Sequence, residues 1–529
     1  MKLELQIGEE KRTIEIENDE TLLRAMQRSG AVVNAPCGGK GTCGKCRIRL
    51  LRNGKIPVRE LLACQTTGAQ LVQIWVRERF DTVSASGSAE LQDQRKKAIS
   101  LPEDTLWDSP EGVKCVEPAT IDLAEGQEQR YGVAFDIGTT TVAAMLWELG
   151  SDGERAARMP LATASAANPQ CSFGADVISR MEYVGGDGHR LAQMQALTVQ
   201  CMNRLLAELT EAVKLRRSNI YRISAVGNTT MMHFLFGKDV SGLMKAPFAG
   251  EELPLEAEAK SLGLQVEDGV MLRTLPVMGG HLGADAAAVL LALRLPQRKE
   301  AALALDIGTN GELLITDGTG RVWGCTTAAG PAFEGGNIGC GMRGEPGAIE
   351  TVRPAEDGRS LNIGVIGDGE AKGLCGSGLI DAAASLLALG WMDEEGRLTQ
   401  EEIRLTPQIA LTQRDIRQLQ MAKGAIAAGT AILQQQTKRE PNTVFLAGAF
   451  GSYIRPESAV AIGLLPAGIP VVACGNAAGV GASLILCSDR EWMRGCDWAG
   501  ELVRIELAEQ KEFTGAFLSA MYFPTGKLN

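Results

Sequence analysis

The chain opens with alternation. Leu3, Leu5 and Ile7 are separated by charged or polar residues, and Ile14 and Ile16 continue the pattern, which predicts two half-buried strands. Asn18 or Asp19 stands where it would cap a helix over about 21–28. A glycine-rich loop follows, and apolar stretches at 47–50 and 71–76 predict two more strands. Residues 1–80 therefore read as a small β-rich module. Residues 81–128 contain T-V-S-A-S-G-S, Q-D-Q-R-K-K, L-P-E-D and S-P-E-G, and read as a linker. From Tyr131 to about Leu486, apolar strands alternate with glycine turns and alanine-rich helices, the pattern of α/β layers. Two segments in this stretch resemble each other: V-A-F-D-I-G-T-T-T from Val133 and L-A-L-D-I-G-T-N-G from Leu303. Their Asp136 and Asp306 lie 170 residues apart, too far for a solenoid repeat, which predicts two similar lobes. Residues 502–523 read as one strand and one amphipathic helix.

At 529 residues, with 45% hydrophobic and 22% charged positions, the chain has enough apolar surface for three or four domains. That balance excludes disorder or a fibrous repeat as a description of the whole. A net charge of −11 gives no broad basic face, so no nucleic-acid partner is expected. The longest clean apolar run, 286–293, is far below the ~20 residues that cross a bilayer. The first residues, M-K-L-E-L-Q, contain no secretory apolar core. The expectation is a cytoplasmic protein with no membrane partner. Charge is unevenly spread: residues 1–80 carry 14 Lys and Arg against 9 Asp and Glu, a local +5 that leaves −16 for the rest.

Four of the 13 cysteines fall between Cys37 and Cys64, with spacing C-x₅-C-x₂-C-x₁₇-C through Cys43 and Cys46. In a cytosolic chain such a group points to metal rather than disulfides. Three thiolates on one tight loop and a fourth from a later segment suit a [2Fe–2S] cluster, two sulfurs per iron. Glycines at 38, 39, 41 and 44 let the backbone curl and aim N–H groups at the sulfurs. Lys40, Lys45, Arg47 and Arg49 are placed to offset its negative charge. The competing reading is a structural Cys₄ zinc site, which usually offers two C-x₂-C knuckles, and only one is present. The loop resembles those of plant- and adrenodoxin-type ferredoxins, which implies a β-grasp fold for this module.

A hydrophobic strand ending in Asp-x-Gly-Thr presents a carboxylate and several N–H groups at the tip of a tight turn. Glycine allows close approach of a phosphate, and the Thr hydroxyl and amides bind its oxygens. The Asp instead suits Mg²⁺ or a water on it. Two such turns resemble the phosphate loops of the acetate kinase, sugar kinase, heat-shock chaperone and actin superfamily (ASKHA). Other parts of that pattern follow in order. G-G-H-L-G-A-D from Gly279 looks like the first connecting helix, with Asp285 facing the metal. V-F-L-A-G-A-F-G from Val444 looks like the adenosine motif, with Gly448 and Gly451 against the nucleotide. G-N-A-A-G-V-G-A-S from Gly475 looks like the second connecting helix, whose small residues permit a close crossing. The fold class expected is multidomain α/β: an N-terminal ferredoxin domain (1–80), a linker (81–128), two ASKHA lobes (129–300 and 301–490) and a C-terminal strand and helix (491–529). Segments carrying Cys375, Glu334, Arg343, Glu345 and Asn168, and the run G-N-T-T from Gly227, are glycine- or turn-rich, but their spacing assigns them no role.

A ferredoxin passes electrons downhill without ATP, so fusion to an ATPase makes sense when the acceptor is harder to reduce than the donor. Each ~100 mV of uphill gap costs about 2.3 kcal/mol for one electron. ATP shifts that balance only by binding one conformation better than another. The joined motifs, with G-P-A-F-E-G, F-G-S-Y-I and the M-Y-F-P end at 521–524, resemble the reductive activators of corrinoid proteins. That resemblance implies ATP-dependent one-electron reduction of Co(II) to Co(I) in a corrinoid protein of a methyltransferase system, fed by an external low-potential electron donor; it leaves a homodimer open. It implies that Cys37, Cys43, Cys46 and Cys64 hold the cluster. Asp136, Gly138, Thr139, Thr140, Asp306, Gly308, Thr309 and Asn310 would bind ATP with Mg²⁺, and Asp285 or Glu312 would orient the attacking water. The rival readings are an ATP-driven electron donor to another low-potential metalloenzyme, a redox-sensing ASKHA small-molecule kinase, and a nucleotide-gated redox sensor without turnover.

Overall fold

The computed structural model describes residues 1–7, 10–29, 31, 35, 37–41, 46–52, 56–78, 82–85, 131–149, 160–367, 369–448 and 451–524. The alternating N-terminal residues form Lys2–Ile7 and Glu10–Glu15, an antiparallel pair that buries Leu3, Leu5 and Ile14. The five-stranded sheet runs Glu10–Glu15, Lys2–Ile7, Thr82–Ala85, Arg47–Arg52, Ile56–Leu62. Its core is completed by Leu22 and Met26 of helix Leu22–Arg28.

Three local expectations change. The helix is capped by Thr21, whose hydroxyl accepts from Arg24 N, rather than by Asn18 or Asp19. Residues 71–76 are not a strand but part of helix Gly68–Glu78. The β-branched and aromatic run suggests a strand, yet Thr67 and Gln70 exchange backbone and side-chain bonds in a capping box that starts a helix. Gly68 permits that start, because a Cβ there would lie 1.9 Å from Glu17 O. Finally, Thr82–Ala85 is no linker. It is the strand that joins the two halves of the sheet, parallel to Lys2–Ile7 and antiparallel to Arg47–Arg52. The rest of the expected linker, 86–128, lies outside the described residues.

The two D-I-G-T segments sit at equivalent places in two six-stranded sheets. The first sheet is ordered Glu256–Glu258, Met271–Arg273, Ile220–Gly227, Tyr131–Ile137, Thr141–Glu148, Ala162–Ala167. The second is Val471–Gly475, Thr443–Ala447, Ala302–Ile307, Gly311–Thr316, Val322–Thr327, Val503–Arg504. In each, the strand that ends in the motif pairs antiparallel with its successor and parallel with a later strand on its other edge. Both Asp turns therefore lie at the carboxyl ends of parallel strands, where open α/β sheets place ligands.

The lobes are tied by two helices of small residues. Helix Ala477–Cys487 follows the second sheet in sequence but packs into the first lobe's core, against helix Ala284–Ala292 and the strands of the first sheet. Trp147 Nε1 donates to Ser483 Oγ at 3.0 Å, and Ser224 Oγ to Ala482 O at 2.7 Å. Helix Asp489–Glu501 joins the same core; its buried Glu491 pairs with Arg294 and Arg494. As a packing unit, the first lobe thus includes chain beyond residue 475, and the interval 301–490 is not a lobe by itself. At the C terminus Val503–Arg504 adds to the second sheet, and helix Phe513–Ala520 packs on helix Gln413–Thr437. There Lys423, buried and pushed down to about 8, donates to Ala520 O and Tyr522 O at 2.6 and 2.7 Å and pins the tail.

The tightest point of the helix crossing is Gly481, where a Cβ would lie 2.3 Å from Ala288 O and 2.6 Å from Ala288 Cα. Backbone cannot yield as a side-chain tip can. Gly481→Ala is expected to destabilise the chain by about 1–3 kcal/mol, read as a lower urea midpoint.

Candidate functional site

Among the candidate cluster ligands, Cys37, Cys46 and Cys64 are described, while Cys43 lies outside the described residues. Residues 37–41 turn through Gly38, Gly39 and Gly41, all at positive φ (+62°, +89°, +77°), which lets the backbone reverse in so few residues. Cys46 directly precedes strand Arg47–Arg52, and Cys64 lies in the short turn Ala63–Gln65. Ala63 N donates to Cys46 O at 2.9 Å, bringing the two cysteine segments side by side. A Cβ on Gly39 would lie 3.9 Å from Cys64 Cβ, so the glycine loop folds over that cysteine. These positions fit a cradle of thiolates around a cluster. Of the basic residues around it, Arg47 and Arg49 pair with Glu60 and Lys40 with Glu182, while Lys45 lies outside the described residues. Among the described residues, no three His, Cys, Asp or Glu side chains converge to metal-binding distance.

The two phosphate-loop candidates close in similar turns whose closing bonds differ by one residue in reach. Gly138 N donates to Thr141 O, and Gly308 N to Asn310 O, each at 2.9 Å, which closes each Asp strand into its turn. Thr139 and Thr309 are buried; Thr140 and Asn310 are half-buried. Gly448 (φ +89°) closes over Asp306, where a Cβ would lie 2.6 Å from its Oδ1. Gly451 is buried near Leu446.

Asp136, Asp285, Asp306 and Glu312 feel one another's charge. Glu312 is the cross-strand partner of Asp306, and Asp285 stands in the first turn of helix Ala284–Ala292. Burial pushes Asp136 up to about 6 against a bond from Asn476, and pushes Asp306 up to about 7 with Asp136 adding to it. Asp285 and Glu312 are held well above the usual carboxylate range by burial, with each other or Asp306 as the next cause. A site that concentrates negative charge out of water is poised for a cation.

Several residues to which spacing assigned no role prove central. Glu334 accepts from Thr140 Oγ1 at 2.8 Å through Oε1, and from Thr309 Oγ1 at 2.6 Å through Oε2. One carboxylate thus bridges both loops, and with them both lobes. It sits in a short turn between Gly330 (φ +77°) and Gly335 (φ +76°). The fully buried Arg180 donates to Thr139 O at 2.6 Å; Asn168 donates to Gly138 O, Asn228 to Thr139 Oγ1, and Arg343 to Thr140 O. The glycine-rich segments around Glu334 and Arg343, the Asn-Pro turn at 168 and the G-N-T-T run from Gly227 marked the others in the sequence. Arg180 carried no signal.

The raised carboxyls fix the sign of a pH effect. Groups that hold protons more tightly folded than unfolded stabilise the fold at low pH, and lose that contribution as pH rises through about 6 to 7. Without nucleotide or divalent cation, the thermal midpoint is expected to rise as pH falls from 8 to 6. Asp306→Asn is expected to raise it at pH 8 and flatten the dependence, measured by scanning fluorimetry.

Comparison with known proteins follows this geometry. The family model for the 2Fe-2S iron-sulfur cluster binding domain matches residues 5–67, the RACo middle region 131–298, and the C-terminal ASKHA domain of RACo 300–529. The chain is 30% identical over 543 residues to the corrinoid activation enzyme RamQ of Eubacterium limosum, covering 87% of this chain and 89% of that one. It is 25% identical over 374 residues to the [Co(II) methylated amine-specific corrinoid protein] reductase of Methanosarcina barkeri, covering 64% and 66%. The solved structure of a reductive activator for corrinoid, iron-sulfur protein shares the fold, with a TM-score of 0.68 at 24% identity over 99% of this chain and 98% of that one. No helix among the described residues is long and apolar enough to cross a membrane. The chain, an N-terminal 2Fe-2S domain followed by an ASKHA ATPase fold, belongs to the family of reductive activators of corrinoid proteins.

Proposed function

We propose that this chain reactivates a corrinoid protein of a methyltransferase system by returning its cobalt from Co(II) to Co(I), coupled to ATP hydrolysis in the cytoplasm. The observation that supports this most directly is the joining of a cysteine-loop module to a two-lobed, acid-lined cleft, over a length that matches a corrinoid activation enzyme almost end to end. In this reading the N-terminal sheet module, through Ala85, carries the electron, each of the two six-stranded sheets supplies one phosphate loop, and the strand and helix after residue 502 close the C-terminal end.

Cys37, Cys43, Cys46 and Cys64 hold the [2Fe–2S] cluster, which when bound supplies a one-electron reductant. An external low-potential donor recharges it. Asp136 and Asp306 would hold Mg²⁺, whose charge would offset the burial that raises their pKa values. Gly138, Thr139, Thr140, Gly308, Thr309 and Asn310 offer hydroxyls and amides to the phosphate oxygens. Gly448 and Gly451 leave room for the adenosine. Asp285 or Glu312 would orient the attacking water. Thr140 and Thr309 sit on different lobes, so a phosphate bound to both closes the cleft, and the helix crossing at Gly481 carries that closure between lobes.

The function is tested by anaerobic absorbance of a Co(II) corrinoid protein mixed with the reduced chain. Growth of the Co(I) band is expected only with Mg-ATP, and not with Asp306→Ala or Cys43→Ala. No Co(I) with several corrinoid partners, despite an intact cluster and nucleotide binding, would sink the reading. A second expectation concerns Glu334, whose carboxylate occupies the two hydroxyls that phosphate must take. Glu334→Ala removes that competitor and is expected to tighten Mg-nucleotide binding about tenfold by calorimetry, the equivalent of about one hydrogen bond to a charged group. Weaker binding would make Glu334 a nucleotide ligand instead.

A further inference from the structure

The cluster module meets the first lobe at residues 169–184, the short turn Pro169–Ser172 and helix Val177–Val184. Gln27 Nε2 donates to Ser172 O at 2.5 Å, and Lys40 Nζ to Glu182 Oε2 at 2.6 Å. Between these contacts, Gly38 presses on the lobe: a Cβ there would lie 2.9 Å from Phe173 O. Gly38 directly follows Cys37, and Lys40 N bonds back to Cys37 O. The edge of the module that carries the cluster ligands is therefore turned against the lobe.

This contact has the character of a reversible one. The module's apolar core, around Leu5, Leu22 and Ile48, shares no residue with the first lobe's core. The contact is polar, and the side chains of Lys40 and Glu182 remain 62% and 45% exposed, so the ion pair biases the contact several-fold without fixing it. The chain between Ala85 and Tyr131 tethers the module, which keeps its effective concentration at the lobe high even for a weak contact. Electron tunnelling falls steeply with distance, so an acceptor must approach the cysteine edge, beside which Gly38 meets Phe173 O.

We propose that residues 169–184 of the first lobe form a parking site for the cluster module, and that the protein partner must displace this site from the Cys37 edge before it can accept an electron. Parked, the module has its reducing edge turned against the lobe at Phe173 O, between the Gln27 and Lys40 contacts. Two surfaces, one intramolecular and one on the partner, compete for one face. The parking itself is independent of the partner's identity; that the competitor is a corrinoid protein rests on the proposed function.

The test uses the full-length, cluster-loaded chain. Lys40→Glu and Glu182→Lys are each expected to raise amide hydrogen exchange over residues 172–184 several-fold and to enlarge the radius of gyration in X-ray scattering. Lys40→Glu combined with Glu182→Lys is expected to restore both. Unchanged cluster absorbance shows that the module is intact; should Lys40→Glu disturb it, Glu182→Lys, which lies outside the module, carries the test. Single variants that behave as wild type, or a double variant no better than the singles, overturn the parking site. These measurements contain no corrinoid, so their failure is distinct from failure of the proposed function. In the wild type, added Co(II) corrinoid protein is expected to raise exchange over 172–184 as Lys40→Glu does. Binding that leaves this exchange unchanged overturns the competition.

Discussion

The withdrawal of four carboxyl groups from water is the constraint around which the two lobes are arranged. Asp136 and Asp306 are brought together because each ends a strand whose next two residues must turn through glycine, and because both strands deliver their carboxyl ends to one cleft. Asp285 and Glu312 add to the same charge. Such an arrangement costs stability when empty, and the rest of the site offsets that cost with bonds that do not neutralise it. Asn476 bonds Asp136, Arg180 and Asn168 fasten the first loop's carbonyls, and Glu334 ties the loops to each other. A cleft built this way favours a cation and a phosphate together, since either alone leaves part of the mismatch in place.

The connecting helices explain how that local mismatch reaches the whole molecule. Ala284–Ala292 and Ala477–Cys487 are almost entirely buried and almost entirely small or aliphatic, and they meet backbone to backbone at Gly481 and Ala288. Asp285 begins the first of these helices, and Asn476, the partner of Asp136, caps the second. Each helix therefore has a site residue at its amino end and the interlobe crossing along its length. A displacement at the carboxylates is one at the ends of two close-packed rods, and packed cores transmit such shifts rather than absorb them.

What could be read from the sequence was what depends on residues near each other in the chain. The loop of Cys37, Cys43 and Cys46, the two D-I-G-T turns and the glycine- and alanine-rich helices each carry their chemistry within about a dozen positions, and Cys64 follows only 18 residues after Cys46. Even the misassigned helix Gly68–Glu78 had its signal in place, the Thr67–Gln70 capping box, outweighed there by the β-forming run from Leu71 to Val76. Glu334 was beyond reach for a different reason. Its role exists only through Thr140, 194 residues away, and Thr309, 25 away. Arg180 likewise acts through Thr139, 41 positions earlier, and on its own helix it is one of two charged residues, the other being Glu182. Long-range polar pairing leaves no periodicity to detect.

The segment around Arg180 also shows how the two chemistries come to adjoin. Its inner side is held by the first phosphate loop through Asn168 and Arg180, while its outer side meets Gln27, Gly38 and Lys40 of the cluster module. The inner bonds are buried and include a guanidinium that would be costly to strand; the outer ones are exposed and cheap to break. That asymmetry suits the division of labour between the parts. A nucleotide loop must keep its carbonyls fixed so that its amides and hydroxyls face the phosphate, whereas an electron carrier must be able to leave the surface it rests on. Were the strengths reversed, with an apolar seam under the cluster module and loose polar contacts under the phosphate loop, the carrier would be immobile and the loop unformed.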